Sequence, residues 1–299
     1  MKIKDSFHTY AGITIVFWSL AYVLTRLALR YFSAFPLGFL RYFFASITLV
    51  VFAVISGMRP PHAKDSKLFA ASGAFGFFLY MIAFNKGCET VAASTASVII
   101  ATVPVITALL ARFIYGEKLS SLKWAATAVE FSGVVVLTLM NRGFTLNRGI
   151  VWLLAAALSL GVYNVLQRRL TRIYSGLQTS SYSIFAGTAL LSVFSPSAVK
   201  ELGSAPPTAL VLVGVLGVFS SAVAYAAWAE AFKKAKKSSS VSNYMFVTPF
   251  LTSLLGFLIV GEKPDAPTIA GGGIIMLGFF LFNFGGRIAA TIKRKSCGN

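Results

Sequence analysis

The chain alternates long apolar runs with short polar breaks. Ten runs can be read, at residues 10–29, 35–56, 68–87, 91–114, 122–141, 149–167, 176–195, 207–231, 239–260 and 267–286. Each is long enough to cross a hydrocarbon core as a helix, which takes about 20 residues. Lipid offers backbone N–H and C=O groups no partner, so the hydrogen bonds must close within each segment. A membrane barrel would instead show short stretches of alternating polarity. The breaks carry Gly and Pro: GMRPP at 57–61, NRGFTLNRG at 141–149, SPS at 195–197, APP at 205–207 and GEKPDAP at 261–267. The pattern predicts an all-α integral membrane protein with ten transmembrane helices.

Composition agrees. Of 299 residues 57% are hydrophobic and 12% charged, about half the charged share of a soluble domain. The net charge of +18 invites a nucleic-acid reading, but that requires a basic face on a soluble fold. Here the cations sit between the runs. With the N-terminus inside, 19 Lys and Arg fall on the inner segments and 7 on the outer ones, with Arg41 inside a run. That bias orients membrane proteins. It predicts an even number of spans, both termini in the cytoplasm and no polyanionic partner. A bacterial inner membrane is the expected location. The first run is too long for a signal-peptide core, and no small-residue cleavage pattern follows it, so it is expected to be retained. Cys88 and Cys297 have neither metal-ligand spacing nor a disulfide framework, and no metal or cofactor is expected.

The chain also repeats itself. At an offset of 145, Ser94 and Ser97 meet Ser239 and Ser242, Pro104 meets Pro249, and Thr107 meets Thr252. Gly116-Glu117-Lys118 meet Gly261-Glu262-Lys263, and Gly133 meets Gly278. Apolar composition would not place a Pro, a Gly-Glu-Lys turn and a distant Gly in one register. A weaker match pairs LRYFFASITL (40–49) with SYSIFAGTAL (181–190) through Ala45 and Ala186. Two five-helix units follow, 1–145 and 146–299. Five is odd, so the second enters from the opposite side, giving the inverted repeat common in secondary transporters.

The ten-run count, LRYFFA in run 2, the Pro-centred run 4 followed by YGEKL, and the closing GVVVL and GFFLF segments resemble the EamA-type members of the drug/metabolite transporter superfamily. The resemblance covers nearly the whole chain. It implies gradient-driven export or exchange of small metabolites, often amino acids, through a cavity surrounded by helices 1, 3, 4, 6, 8 and 9. No GxxxxGK[ST] phosphate loop is present, in agreement with a transporter that does not use ATP.

Pro104 and Pro249 lie mid-run and lack an N–H, which deprives the Ile100 and Met245 carbonyls of their usual donors. Paired interruptions in equivalent helices point to a central site; the plain alternative is a structural kink. Arg41, two turns into run 2, must be offset by a partner or a wet cavity. Arg41 or Arg26 suits a substrate carboxylate, against structural roles as helix-end ligands. Glu130, the only acid deep in a run, either carries a proton or pairs with Arg41. The resemblance implies that its helix is peripheral. Glu230 is an ion pair or a gate. Glu117 and Glu262 are read as helix-connection residues.

Trp18, Tyr22, Tyr80, Asn85, Ser97, Tyr163, Asn164, Trp228 and Asn243 complete the candidate substrate-binding set. The aromatics would hold an apolar side chain and the amides its polar ends; helix packing is the alternative for each. The cavity wall is short of acids, so zwitterionic, anionic or neutral solutes are favoured over cations. The expected function is export of amino acids or related metabolites by alternating access, with no catalytic residue and a proton or counter-substrate as coupling partner. Export of drugs or other amphipathic compounds is the alternative. More distant is a non-transporting membrane enzyme or assembly factor. Gly271-Gly272-Gly273 permits close helix packing within one chain or between two.

Overall fold

The computed structural model describes residues 6–91, 93–139, 148–261 and 266–296. Glu262 and Lys263, the connection holding the expected repeat boundary at 145, and Cys297 lie outside them. The described residues are helical, without a strand. Among the described residues, eight helices are long and apolar enough to cross a membrane: α1 (Phe7–Ala28), α2 (Ala34–Ile55), α3 (Ala63–Thr90), α4 (Ala96–Tyr115), α6 (Arg148–Leu170), α7 (Gly176–Ser204), α8 (Pro207–Lys234) and α9 (Ser238–Ile259). Two more, α5 (Ser121–Leu139) and α10 (Ala266–Ser296), pack against each other. Large apolar side chains point outward, with Phe113 81% and Ile55 77% exposed. Such a surface suits lipid.

Local chemistry sets the ends. Ser175 and Gln178 form a capping box at the start of α7, satisfying orphan amides reciprocally. Gly116 and Gly261 end α4 and α9 in the left-handed region, at φ 64° and 76°, where a Cβ is disfavoured. The SPS break does not end run 7 as expected. The helix continues through a 3₁₀ turn at Ser192–Phe194 into Ser195–Ser204. Pro196 stands in the first turn of that last piece, where its missing N–H costs nothing.

Two glycine contacts are reciprocal across the offset. A Cβ on Gly133 of α5 would meet Gly271 O at 2.7 Å and Ile275 N at 2.8 Å on α10. A Cβ on Gly278 of α10 would meet Ala126 O at 2.9 Å and Glu130 N at 2.7 Å on α5. Every partner is its counterpart plus or minus 145. Likewise, Gly73 of α3 abuts Ser183 O and Gly187 N of α7, while Gly217 of α8 abuts Arg41 O and Ala45 N of α2. This second pair corrects the front-half register. Arg41 and Ala45 correspond to Ser183 and Gly187, an offset of 142. Matching Ala45 with Ala186 had slipped by one residue, because apolar composition is uniform enough to tolerate the slip.

Candidate functional site

Both Pro helices break where the sequence placed the stress. In α4 the helix stops at Ile100 and restarts at Val103, with Pro104 in its first turn. In α9, Asn243–Val247 tightens to a 3₁₀ turn before Thr248–Val260, again with Pro in the first turn. The Met245 carbonyl is not left free as expected: the Thr248 N–H donates to it, the shorter bond of a 3₁₀ turn. The breaks aim Ile100, Ala101, Met245 and Thr248 at one cavity. Pro104 and Pro249 themselves are not among its lining residues.

Ser97 of α4 and, from other helices, Trp18, Tyr22, Arg41, Tyr80, Phe84 and Tyr225 line the same space. Tyr22 meets Phe84 edge-on at 5.2 Å, Phe84 stacks on Tyr80 at 5.5 Å, and Trp18 lies 4.9 Å from Tyr225. The room for the centre of a water-sized sphere is only about 10 Å³, close to that of one water. The Trp18 indole N–H and the Thr248 hydroxyl are buried in this wall without a hydrogen-bond partner. Two unmet polar groups facing one space suit a polar ligand.

Arg41 is the single charged residue lining the cavity among the described residues, and it is 3% exposed. Its Nε donates to Ser221 Oγ at 2.7 Å and its Nη2 to Ser220 O at 3.3 Å. Both serines lie in a π-helical segment of α8, Val218–Val223. A π turn displaces carbonyls from the normal helical ladder. A matching π segment, Ala74–Leu79, interrupts α3. Neither was foreseen, since nothing in these segments breaks a helix. The one available signal was the polar pair Ser220-Ser221 in an otherwise apolar run.

The remaining candidates are placed elsewhere. Asn164 bridges two helices: its Nδ2 donates to Thr107 Oγ1 at 3.1 Å and its Oδ1 accepts from Trp228 Nε1 at 2.9 Å. Tyr163 packs edge-on against Phe77 at 5.1 Å and accepts from the Gln167 amide. Asn85 Nδ2 donates to Ala34 O at 2.8 Å. Glu130 does not pair with Arg41. It accepts from Asn243 Nδ2 at 2.9 Å and packs against Gly278, which ties α5 to α9 and α10. Arg26 Nη1 donates to Cys88 O at 2.8 Å near the end of α3. Glu230 pairs with Lys234 at 3.5 Å and packs against Gly176.

A polar cluster surrounds Glu117 at its end of the bundle. Glu117 accepts from the Ser238 N–H at 2.9 Å and the Ser238 hydroxyl at 3.0 Å, and lies 3.9 Å from Arg168 Nε. Arg168 Nη1 donates to Phe232 O at 3.1 Å and Ala235 O at 2.6 Å. Glu117 thus ties the α4–α5 turn to the α8–α9 connection, which its reading as a plain connection residue missed. Arg168 mirrors Arg26: each stands near the end of its helix and holds the end of a π-interrupted one.

The EamA-like transporter family matches residues 8–139 and again residues 147–284. The chain belongs to the EamA-like transporter family. A relative from Streptantibioticus cattleyicolor, described as a "Probable terminal-alkyne amino-acid exporter", is 31% identical over 91% of this chain and 91% of its own length. An S-adenosylmethionine uptake transporter of Rickettsia prowazekii is 26% identical over 92% and 93%. An uncharacterized transporter of Bacillus subtilis is 29% identical over 91% and 89%. A solved crystal structure, 19% identical, superposes with a TM-score of 0.74 over 94% of this chain and 97% of that one, a likeness of fold. The cavity among α1–α4, α6, α8 and α9 is therefore the interior of an EamA-like transporter embedded in a lipid bilayer.

Proposed function

We propose that the protein is a ten-span secondary transporter, built as two inverted repeats, that exports amino acids or related carboxylate-bearing metabolites by alternating access. The two family matches and the shared π segments support the repeat. The reciprocal glycine contacts support its two-fold relation, since each surface meets the equivalent of its own partner. The Lys and Arg bias supports both termini facing the cytoplasm, and the bacterial relatives support a bacterial inner membrane.

The observation that carries the substrate class is Arg41. Its hydrogen-bond partners are neutral, and no carboxylate pairs with it among the described residues. A guanidinium fork of this kind matches a carboxylate bidentately. Trp18, Tyr22, Tyr80 and Phe84 then offer apolar faces to the rest of the solute, and Thr248 a polar contact. The relatives' names fit: amino acids and S-adenosylmethionine both carry an α-amino-carboxylate group.

Counterflow in proteoliposomes tests the reading. Labelled amino acids, nucleosides, sugars and quaternary amines are offered in turn. Amino acids are expected to move, and their amides far less. Movement of the amines alone would favour the aromatic wall as a drug-binding surface and overturn the carboxylate assignment.

A further inference from the structure

Among the described residues, the cavity wall combines one buried cation with no Asp, Glu or His. Arg41 is held by a serine hydroxyl and a backbone carbonyl. The titratable groups around it are Tyr22 on α1, Tyr42 on α2, Tyr80 and Cys88 on α3, and Tyr225 on α8. Tyrosine ordinarily titrates near pH 10 and cysteine near 8.5. No Asp, Glu or His lines the cavity among the described residues. The buried acid, Glu130, is bound to Asn243 and wedged against α10, outside the cavity lining.

We propose that the protein is an exchanger: Arg41 gives up one carboxylate-bearing solute only for another, and no proton is carried through the site. The proposal rests on the substrate reading above. Alternating access requires the cavity to pass through a closed state, and the cavity here has room for only about one water. Closing it around a guanidinium with no counter-charge is costly, because the medium is of low dielectric. A bound carboxylate removes that cost, so the loaded carrier reorients faster than the empty one. A carrier whose loaded form alone crosses quickly exports one solute for each carboxylate-bearing solute that it takes in. Each half-cycle conserves charge in the site, with the solute's carboxylate entering and leaving as the ion.

The test uses the full chain in proteoliposomes loaded with a uniformly labelled mixture of the protein amino acids. Efflux is measured into buffer with or without the unlabelled mixture, with the membrane potential clamped. Unlabelled solute outside is expected to speed efflux about tenfold or more, because it supplies the counter-charge for the return step. An imposed pH gradient is expected to change the rate by less than about twofold, since no wall group titrates in that range. Arg41→Gln is expected to abolish the acceleration, and Arg41→Lys to keep it. Efflux into solute-free buffer as fast as exchange, or uphill accumulation driven by the pH gradient, overturns the proposal. Arg41-dependent transport without acceleration overturns the exchange step and leaves the substrate reading standing. If no amino acid moves, both fall.

Discussion

At the scale of single residues, Arg41 sets the charge of the cavity wall. A cation in mid-membrane survives only where something offsets it, and here the offset is a π-turn carbonyl and one hydroxyl. A charge-assisted hydrogen bond is worth about 1.5–3 kcal/mol. Arg41→Gln should therefore raise KM for a transported amino acid by about 10–100-fold, by the same arithmetic. The KM for its carboxamide should stay within about threefold, since no charge pair is lost. Ser221→Ala should give a smaller rise of the same kind, because Ser221 aims the guanidinium without touching solute. Initial rates in proteoliposomes check both, and an equal loss for acid and amide would count against the anchor. Arg41 was legible in the sequence because a lone Arg in an apolar run needs a reason. Asn164 was equally conspicuous, but its amide is spent on Thr107 and Trp228. Sequence alone does not separate an amide that waits for a ligand from one that joins two helices.

The elements were legible in proportion to how strongly single residues punctuate them. Pro104 and Pro249 mark real breaks in α4 and α9, and Gly116 and Gly261 mark real helix ends. The π segments of α3 and α8 carry no such mark, because an extra residue in a helical turn needs no particular side chain. The latch formed by Glu117, Ser238 and Arg168 was hidden for another reason: its partners are 121 and 51 positions apart in the chain and meet only through the fold. Glu117→Gln removes the negative charge that three donor contacts share. It should loosen this mouth, which faces the cytoplasm in the proposed topology. A cysteine placed at Ser97, with Cys88 and Cys297 replaced, should then react faster with an impermeant thiol reagent in inside-out vesicles. Unchanged labelling would remove the latch. Close helix crossings give a further prediction. Gly133→Ala and Gly278→Ala each press a Cβ below 3.0 Å against backbone, a clash costing roughly 1–3 kcal/mol. Both should lower the melting temperature in detergent, whereas Gly214→Ala, with open space around it, should not.

For the whole molecule, the central claim is a doubled unit whose copies lie upside down about one cavity. The duplication was visible in the Pro and Gly-Glu-Lys register, yet the front-half alignment was one residue off until the helix crossings of Gly73 and Gly217 corrected it. Inversion itself makes a statement about sides of a membrane, and single-cysteine labelling in intact cells addresses it directly. Tyr31 follows α1 and Ile173 follows α6; both are exposed and occupy equivalent connections. Arg59 and Ser204, also exposed, form a second equivalent pair. With the two halves inverted, an impermeant reagent outside labels cysteines at 31 and 204 and spares those at 173 and 59. Labelling of both members of either pair from the same side would contradict the inversion.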